Sequence, residues 1–130
     1  NEAFAVAANV STGETLRVID LNSTALTMNP LIISDCLILS VDTEIVSIST
    51  SLSSNVLFRR HLGSSLTSPA SSSDDTLALV ASSQGDVFAL DPKRGTVAWA
   101  FQGLESIFSS VLEDSGEVYV VTASSLFVLA

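Results

Sequence analysis

The sequence predicts an all-β fold built from antiparallel four-stranded units, and three observations carry that expectation. Short apolar runs of four to seven residues, rich in β-branched side chains, alternate with clusters of Ser, Thr, Asn, Asp and Gly along the 130 residues. That texture is how strands and tight turns read in sequence. No window of eleven or more residues keeps an uninterrupted i, i+3, i+4, i+7 apolar stripe, so helix is disfavoured throughout. Finally, the order of strand and turn signals recurs at roughly 40 residues.

Taken in order, strands are expected at Ala3–Ala8 and Thr15–Asp20, around a turn holding Asn9 and Gly13. Leu31–Ser34, Cys36–Val41, Ile45–Ser49 and Val56–Arg60 follow, with short polar turns at Ser34-Asp35 and Thr43-Glu44. A short inner strand near Pro69 leads to Thr76–Ser82, Val87–Asp91 and Thr96–Phe101. Their turns are Ser73-Asp74-Asp75, Ser83-Gln84-Gly85-Asp86 and Pro92-Lys93-Arg94-Gly95. A second short inner strand near Val111, the turn Asp114-Ser115-Gly116-Glu117, and strands Glu117–Ala123 and Leu126–Leu129 complete the series. Strands joined by turns this short pair as antiparallel meanders.

The repeat is clearest from Leu66 to Phe101. Downstream, Ser109-Ser110-Val111 stands for Ser68-Pro69-Ala70, Val118 to Ala123 for Leu77 to Ser82, and Leu126-Phe127-Val128-Leu129 for Val87-Phe88-Ala89-Leu90. Upstream, Leu37-Ile38-Leu39-Ser40-Val41 and Ile45-Val46-Ser47-Ile48 fill the second and third places, and Val56 to Arg60 takes that of Val97 to Phe101. Ala7-Ala8-Asn9 and Thr12-Gly13 lie 82 residues before Ala89-Leu90-Asp91 and Arg94-Gly95, two periods of about 41. Four short strands at this spacing are the pattern of β-propeller blades. The expected division of one partial domain, 1–130, is 1–24 as the end of a blade, 25–64 and 65–104 as blades, and 105–130 as the start of another.

One segment names a family. Ala89-Leu90-Asp91-Pro92-Lys93-Arg94-Gly95-Thr96-Val97-Ala98-Trp99 resembles the signature A-x-D-x-x-T-G-x-x-x-W of the quinoprotein-like (PQQ-type) propeller repeat, departing only at Arg94, where the family usually has Thr. Ala7 to Arg17 fits the same frame, with Asn9 for Asp and Arg17 for Trp; Ser47 to Phe58 has lost the Gly and gained a residue. With the flanking strands, the resemblance covers nearly the whole chain. Its physical content is structural. Gly95 can take the positive φ a tight hairpin demands, and Asp91 can bond the N–H groups of its own turn. Ala89 is small where a strand faces a neighbour, and Trp99 is large enough to fill the gap between blades, with its indole N–H seeking an acceptor. The resemblance implies that Trp and turn link neighbouring blades. Ala89, Asp91, Gly95 and Trp99, with Ala7, Asn9 and Gly13, are therefore expected to be structural repeat positions.

Composition narrows the partners. There are 5 basic and 14 acidic residues, net −9, and the isoelectric point is near 4.1. Nucleic-acid binding, which needs cations to displace counterions, is not expected, and an anionic membrane surface would repel the chain. The chain is 47% hydrophobic, with a mean hydropathy of +0.51, which opposes disorder. Its uncharged stretches, such as Ala3 to Thr12, are far shorter than the roughly 20 apolar residues of a membrane-spanning helix, so no membrane insertion is expected. No basic segment followed by an apolar one opens the chain, though a mature protein stripped of such a leader would look the same. The lone Cys36 sits in an apolar run and reads as a small hydrophobe. Asn9-Val10-Ser11 and Asn22-Ser23-Thr24 fit the glycosylation sequon, a match that arises readily in so Ser- and Thr-rich a chain. The compartment stays open: cytoplasmic, or luminal or periplasmic.

No catalytic, cofactor or metal residues are expected. Quinone-dependent dehydrogenases with this repeat are complete eight-bladed rings holding the quinone and a metal ion on the axis, with Glu, Asn and Asp ligands and a Trp platform or vicinal Cys pair. No such cluster falls on neighbouring copies here. His61, after Arg59-Arg60, reads as solvated, and Asp74-Asp75 and Asp114 to Glu117 read as turn formers rather than a calcium site. The leading expectation is a non-catalytic protein-interaction scaffold whose partners are other proteins or further blades of a longer chain, as in propellers of this type appended to acyl-activating enzymes. The alternatives are a fragment of a quinone-dependent dehydrogenase, or a luminal or periplasmic sensor binding peptide along a strand edge. About three blades cannot close a ring, so the sheet edges are expected to pair with a longer propeller or with another chain, including a second copy.

Overall fold

In a computed structural model, the residues described are 4–21, 29–51, 55–103, 105–107, 111–122 and 124–129. Runs of β-branched and apolar residues, cut by turn formers, fold into strands of two to six residues. A first sheet pairs β1 (Phe4–Ala8) with β2 (Thr15–Asp20). A second runs β3 (Leu31–Ile33), β4 (Cys36–Val41), β5 (Glu44–Ser49) and β6 (Val56–His61). A third runs β7 (Ala70–Ser71), β8 (Ala78–Ala81), β9 (Val87–Leu90) and β10 (Val97–Phe101). The fourth holds β11 (Leu112–Asp114), β12 (Glu117–Val121) and β13 (Leu126–Leu129). Every pair is antiparallel and follows chain order, the topology of propeller blades.

The sheets stack side by side because both faces of the middle two are apolar. Side chains alternate across a strand, so Leu37, Leu39, Val41, Val46 and Ile48 turn towards the first sheet and meet Ala5, Ile19 and Leu21. From the opposite face, Cys36, Ile38 and Ile45 pack on Ala78, Val80 and Leu90 of the third sheet. That sheet's other face, Leu79, Ala81, Val87 and Ala89, packs on Val111, Val118 and Val120 of the fourth. Cys36 is 1% exposed within this core. The chain is thus all-β, with antiparallel four-stranded sheets in a propeller-like stack that is not closed into a ring.

Several strands stop short of their expected ends where a turn captures the backbone. Thr76–Ser82 shrinks to Ala78–Ala81 because the N–H groups of Thr76 and Leu77 donate to the Ser72 hydroxyl, at 3.2 and 3.0 Å. Val87–Asp91 ends at Leu90, since the Asp91 N–H donates to the Thr96 carbonyl within the turn. Leu31–Ser34 ends at Ile33 because Ser34 and Asp35 take φ of 50° and 58°, the left-handed conformations of a two-residue hairpin turn. Conversely, β5 begins one residue before Ile45 and β6 runs one beyond Arg60. The inner strands expected near Pro69 and Val111 are Ala70–Ser71 and Leu112–Asp114. Glu117–Ala123 stops at Val121, and Thr96–Phe101 starts at Val97. Ala3, the Asn22-Ser23-Thr24 sequon, the 24/25 and 104/105 boundaries, Ser109-Ser110 and Ala123 lie outside or at the margin of the described residues.

Candidate functional site

The recurring feature of the chain is the contact between successive sheets, and each such contact begins from the same bulged pair on the sheet before it. In the first three sheets the outer strand carries one extra residue: the register shifts between Ala7 and Ala8, between Ser47 and Ile48, and between Val97 and Trp99. The bulged residues are Leu16, Leu57 and Ala98. A bulge bends and twists its strand. Here it also places Ala7 opposite Arg17, Ser47 opposite Phe58 and Ala89 opposite Trp99. Each pair sets a small residue beside a large one on the face towards the next sheet.

The turn between the third and fourth strands supplies the other half. Asp91 Oδ1 accepts from the N–H groups of Lys93 and Arg94 at 2.8 and 3.0 Å, and the Gly95 N–H donates to the Asp91 carbonyl at 2.9 Å. Asn9 does the same: its Oδ1 accepts from Ser11 and Thr12 at 2.9 and 3.2 Å, and the Gly13 N–H donates to the Asn9 carbonyl at 2.8 Å. Gly95 and Gly13 have φ of 74° and 72°. The backbone N–H of Lys93, then that of Arg94, holds the Asp91 carboxyl below its ordinary range. Side-chain hydrogen bonds from Ser72 and Thr76 do the same for Asp74. Tyr119 moves up, because its hydroxyl donates to the Glu117 carboxylate.

Between the second and third sheets the two halves meet. A Cβ on Gly95 would lie 2.7 Å from Cδ1 of Phe58, so the ring sits directly against the glycine. Beside it the buried Ser47 hydroxyl donates to the Pro92 carbonyl at 2.5 Å. Between the first and second sheets Arg17 takes the place of Phe58, and its guanidinium donates to the carbonyls of Thr50 and Ser51 in the next turn. Between the third and fourth sheets, Trp99 packs on the cluster of Leu79, Ala89 and Val118. Two hollows of about 330 and 350 Å³ meet around Trp99, sharing Gly116 and Val118 on their walls, and Phe101 and Leu129 line the first.

The stack ends in two apolar faces. Phe4, Val6 and Val18 share the outward face of the first sheet and, with the bulged Leu16, are each more than half exposed. Leu112, Val121, Leu126 and Val128 form the corresponding face of the fourth sheet and are about half to two-thirds exposed.

Ser47 and Phe58 carry a junction that the glycine-based motif does not reveal, because their own copy lacks the glycine. Their signal was the repeat itself, which aligns them with Ala89 and Trp99. His61 is exposed, with its Nδ1 3.0 Å from the Thr43 hydroxyl. Among the described residues no three of His, Cys, Asp and Glu gather to hold a metal ion, and no helix is long and apolar enough to cross a membrane.

No protein-family profile matches the chain, and no curated protein does. Solved structures do. BamB from Moraxella catarrhalis superposes with a TM-score of 0.79 at 20% identity, over 95% of this chain and 39% of that one. The computationally designed Ika4 protein gives 0.82 at 12% identity, over 97% of this chain and 78% of that one. The likeness is one of fold: the chain is β-propeller-like, and it spans well under half the length of BamB.

Proposed function

We propose that this chain is a non-catalytic β-propeller segment of the quinoprotein-like repeat type, divided near residues 24, 64 and 104, that acts as a protein-interaction scaffold within a larger protein or assembly. One observation carries the reading: both terminal sheets turn an exposed apolar face outward, Phe4, Val6, Leu16 and Val18 at one end and Leu112, Val121, Leu126 and Val128 at the other. In the interior of the stack, equivalent faces are covered by the next sheet. Contiguous exposed apolar surface of this kind marks a place where another protein surface sits. Ala7, Asn9, Gly13, Ala89, Asp91, Gly95 and Trp99 serve this role by holding the stack rigid rather than by touching a substrate. The fold likeness to BamB, a longer chain, supports accommodation of this segment in a larger propeller.

Sedimentation of the purified chain over a wide concentration range tests the reading. Reversible association beyond 13.6 kDa, lost when the end faces are made polar, is expected. A compact monomer at every concentration, with both faces bare, would sink it.

A further inference from the structure

The turns between β1 and β2 and between β9 and β10 share one geometry but carry different chemistry. Asn9 and Asp91 each hold their turn with a single side-chain oxygen. The atom on the other branch is where they part. In Asp91 it is a second carboxylate oxygen; in Asn9 it is the amide nitrogen Nδ2, which donates to none of the described residues. Asn9, Ser11 and Thr12 are exposed. The Thr12 hydroxyl accepts from the Glu14 N–H at 3.2 Å, whereas the Ser11 hydroxyl has no hydrogen-bond partner among the described residues.

Asn9-Val10-Ser11 therefore brings together the two groups that an acceptor for N-linked sugar requires, a carboxamide nitrogen and a hydroxyl two residues on, with no proline between them. The other turn lacks this pattern at all three places, as Asp91-Pro92-Lys93. Packing against a neighbouring sheet does not close such a turn. The 91–95 turn is seated on Phe58 and Ser47 of the second sheet, and the residues covered are Pro92 and Gly95. Lys93 and Arg94 stay exposed there, and Asp91 stays partly so. A surface laid in the same way on the 9–13 turn would cover Val10 and Gly13, and would leave the Asn9 amide and the Ser11 and Thr12 side chains in solvent.

We propose that Asn9 is the acceptor site for an N-linked oligosaccharide. The donor is a glycosyl diphospholipid, brought to the chain by a membrane transferase. An N–H bond of Nδ2 breaks and a bond from Nδ2 to the anomeric carbon of the sugar forms. The bond from that carbon to the phosphate oxygen breaks, the lipid diphosphate leaves with its electron pair, and the proton passes to a base of the transferase. The turn keeps its own hydrogen bonds throughout, since they use Oδ1 and the backbone. The oligosaccharide adds hydrated bulk at the end of the first sheet without entering the contacts that hold the stack.

The full chain, given a cleavable secretion leader, is expressed in a eukaryotic cell and its Asn9 peptide is read by mass spectrometry. An oligosaccharide at Asn9 is expected, removable by an amide-cleaving glycosidase that leaves a carboxylate at that position. Asn9→Asp keeps the turn's oxygen acceptor, as Asp91 does, and should fold normally and carry no sugar there. Ser11→Ala should abolish the sugar as well, and Asn22→Gln should leave it in place. Because Nδ2 faces solvent, the sugar-bearing chain and the enzymatically stripped chain should unfold at the same denaturant midpoint. A secreted, folded chain with Asn9 unmodified overturns the proposal. So does a sugar that survives Ser11→Ala, or one that lowers the unfolding midpoint, which would mean that the folded turn has no room for it. Association plays no part in these readouts, so the scaffold reading stands or falls separately.

Discussion

A single atom separates the two glycine turns. Gly95 and Gly13 have nearly the same φ, but a Cβ on Gly95 would strike the Phe58 ring, whereas one on Gly13 would meet nothing within 4 Å. Gly13→Ala should therefore cost only the left-handed backbone penalty, about 1 kcal/mol. Gly95→Ala should cost about 2–4 kcal/mol, because overpacking adds to it. Chemical denaturation of both variants checks the contrast. The turn acids respond to pH. The folded Asp91 carboxyl is held below its unfolded value, so its contribution is complete at neutral pH and drains away as pH falls through the folded pKa. Asp91→Asn keeps the acceptor, as Asn9 does, and should flatten the fall of unfolding free energy below about pH 4. An unchanged acid limb would assign that sensitivity to other carboxylates, such as Asp74. At this scale the sequence was readable, because Asx and glycine in a turn report their own local geometry.

Elements were less readable, for a physical reason. The strand and turn signals placed most strands, but the bulge at Leu16, Leu57 and Ala98 leaves no residue-type mark, since it is a matter of register rather than side chain. Ser47 shows the consequence: polar by composition, it is buried at 0% exposure because the bulged pairing aims it at the next turn. Strand ends were misplaced where Ser72 and Asp91 diverted backbone groups into turns, a competition decided by hydroxyl and carboxylate positions. The junction is a coupled unit, and coupling is measurable. In a Phe58→Ala background the Gly95→Ala change no longer meets a ring, so its cost should fall to about 1 kcal/mol. Gly13→Ala, in a turn where an added Cβ meets nothing, should cost the same in either background. Additive costs for Phe58 and Gly95 would mean that the ring moves aside freely and that the turn is not held by it.

At the scale of the whole molecule, two forces act on the apolar ends. Four side chains on each face, already half covered by their own sheet, return about 1 kcal/mol apiece on burial. Bringing two chains together costs about 4–15 kcal/mol, so association through one face is weak and reversible. The net charge of −9 opposes it further. Screening removes much of that repulsion, since the Debye length falls from about 30 Å at 0.01 M salt to about 3 Å at 1 M. The mass-average in sedimentation should therefore stay near 13.6 kDa at low salt and rise with salt and concentration. Val6→Lys and Val128→Lys separate the two forces because they push in opposite directions. Each lysine reduces the negative charge, so a chain governed by charge alone would associate more readily. Each also places an ammonium in the centre of an end face, so a chain governed by apolar contact would associate less. Loss of association in both variants, with an unchanged unfolding midpoint, is the outcome that the bare faces require.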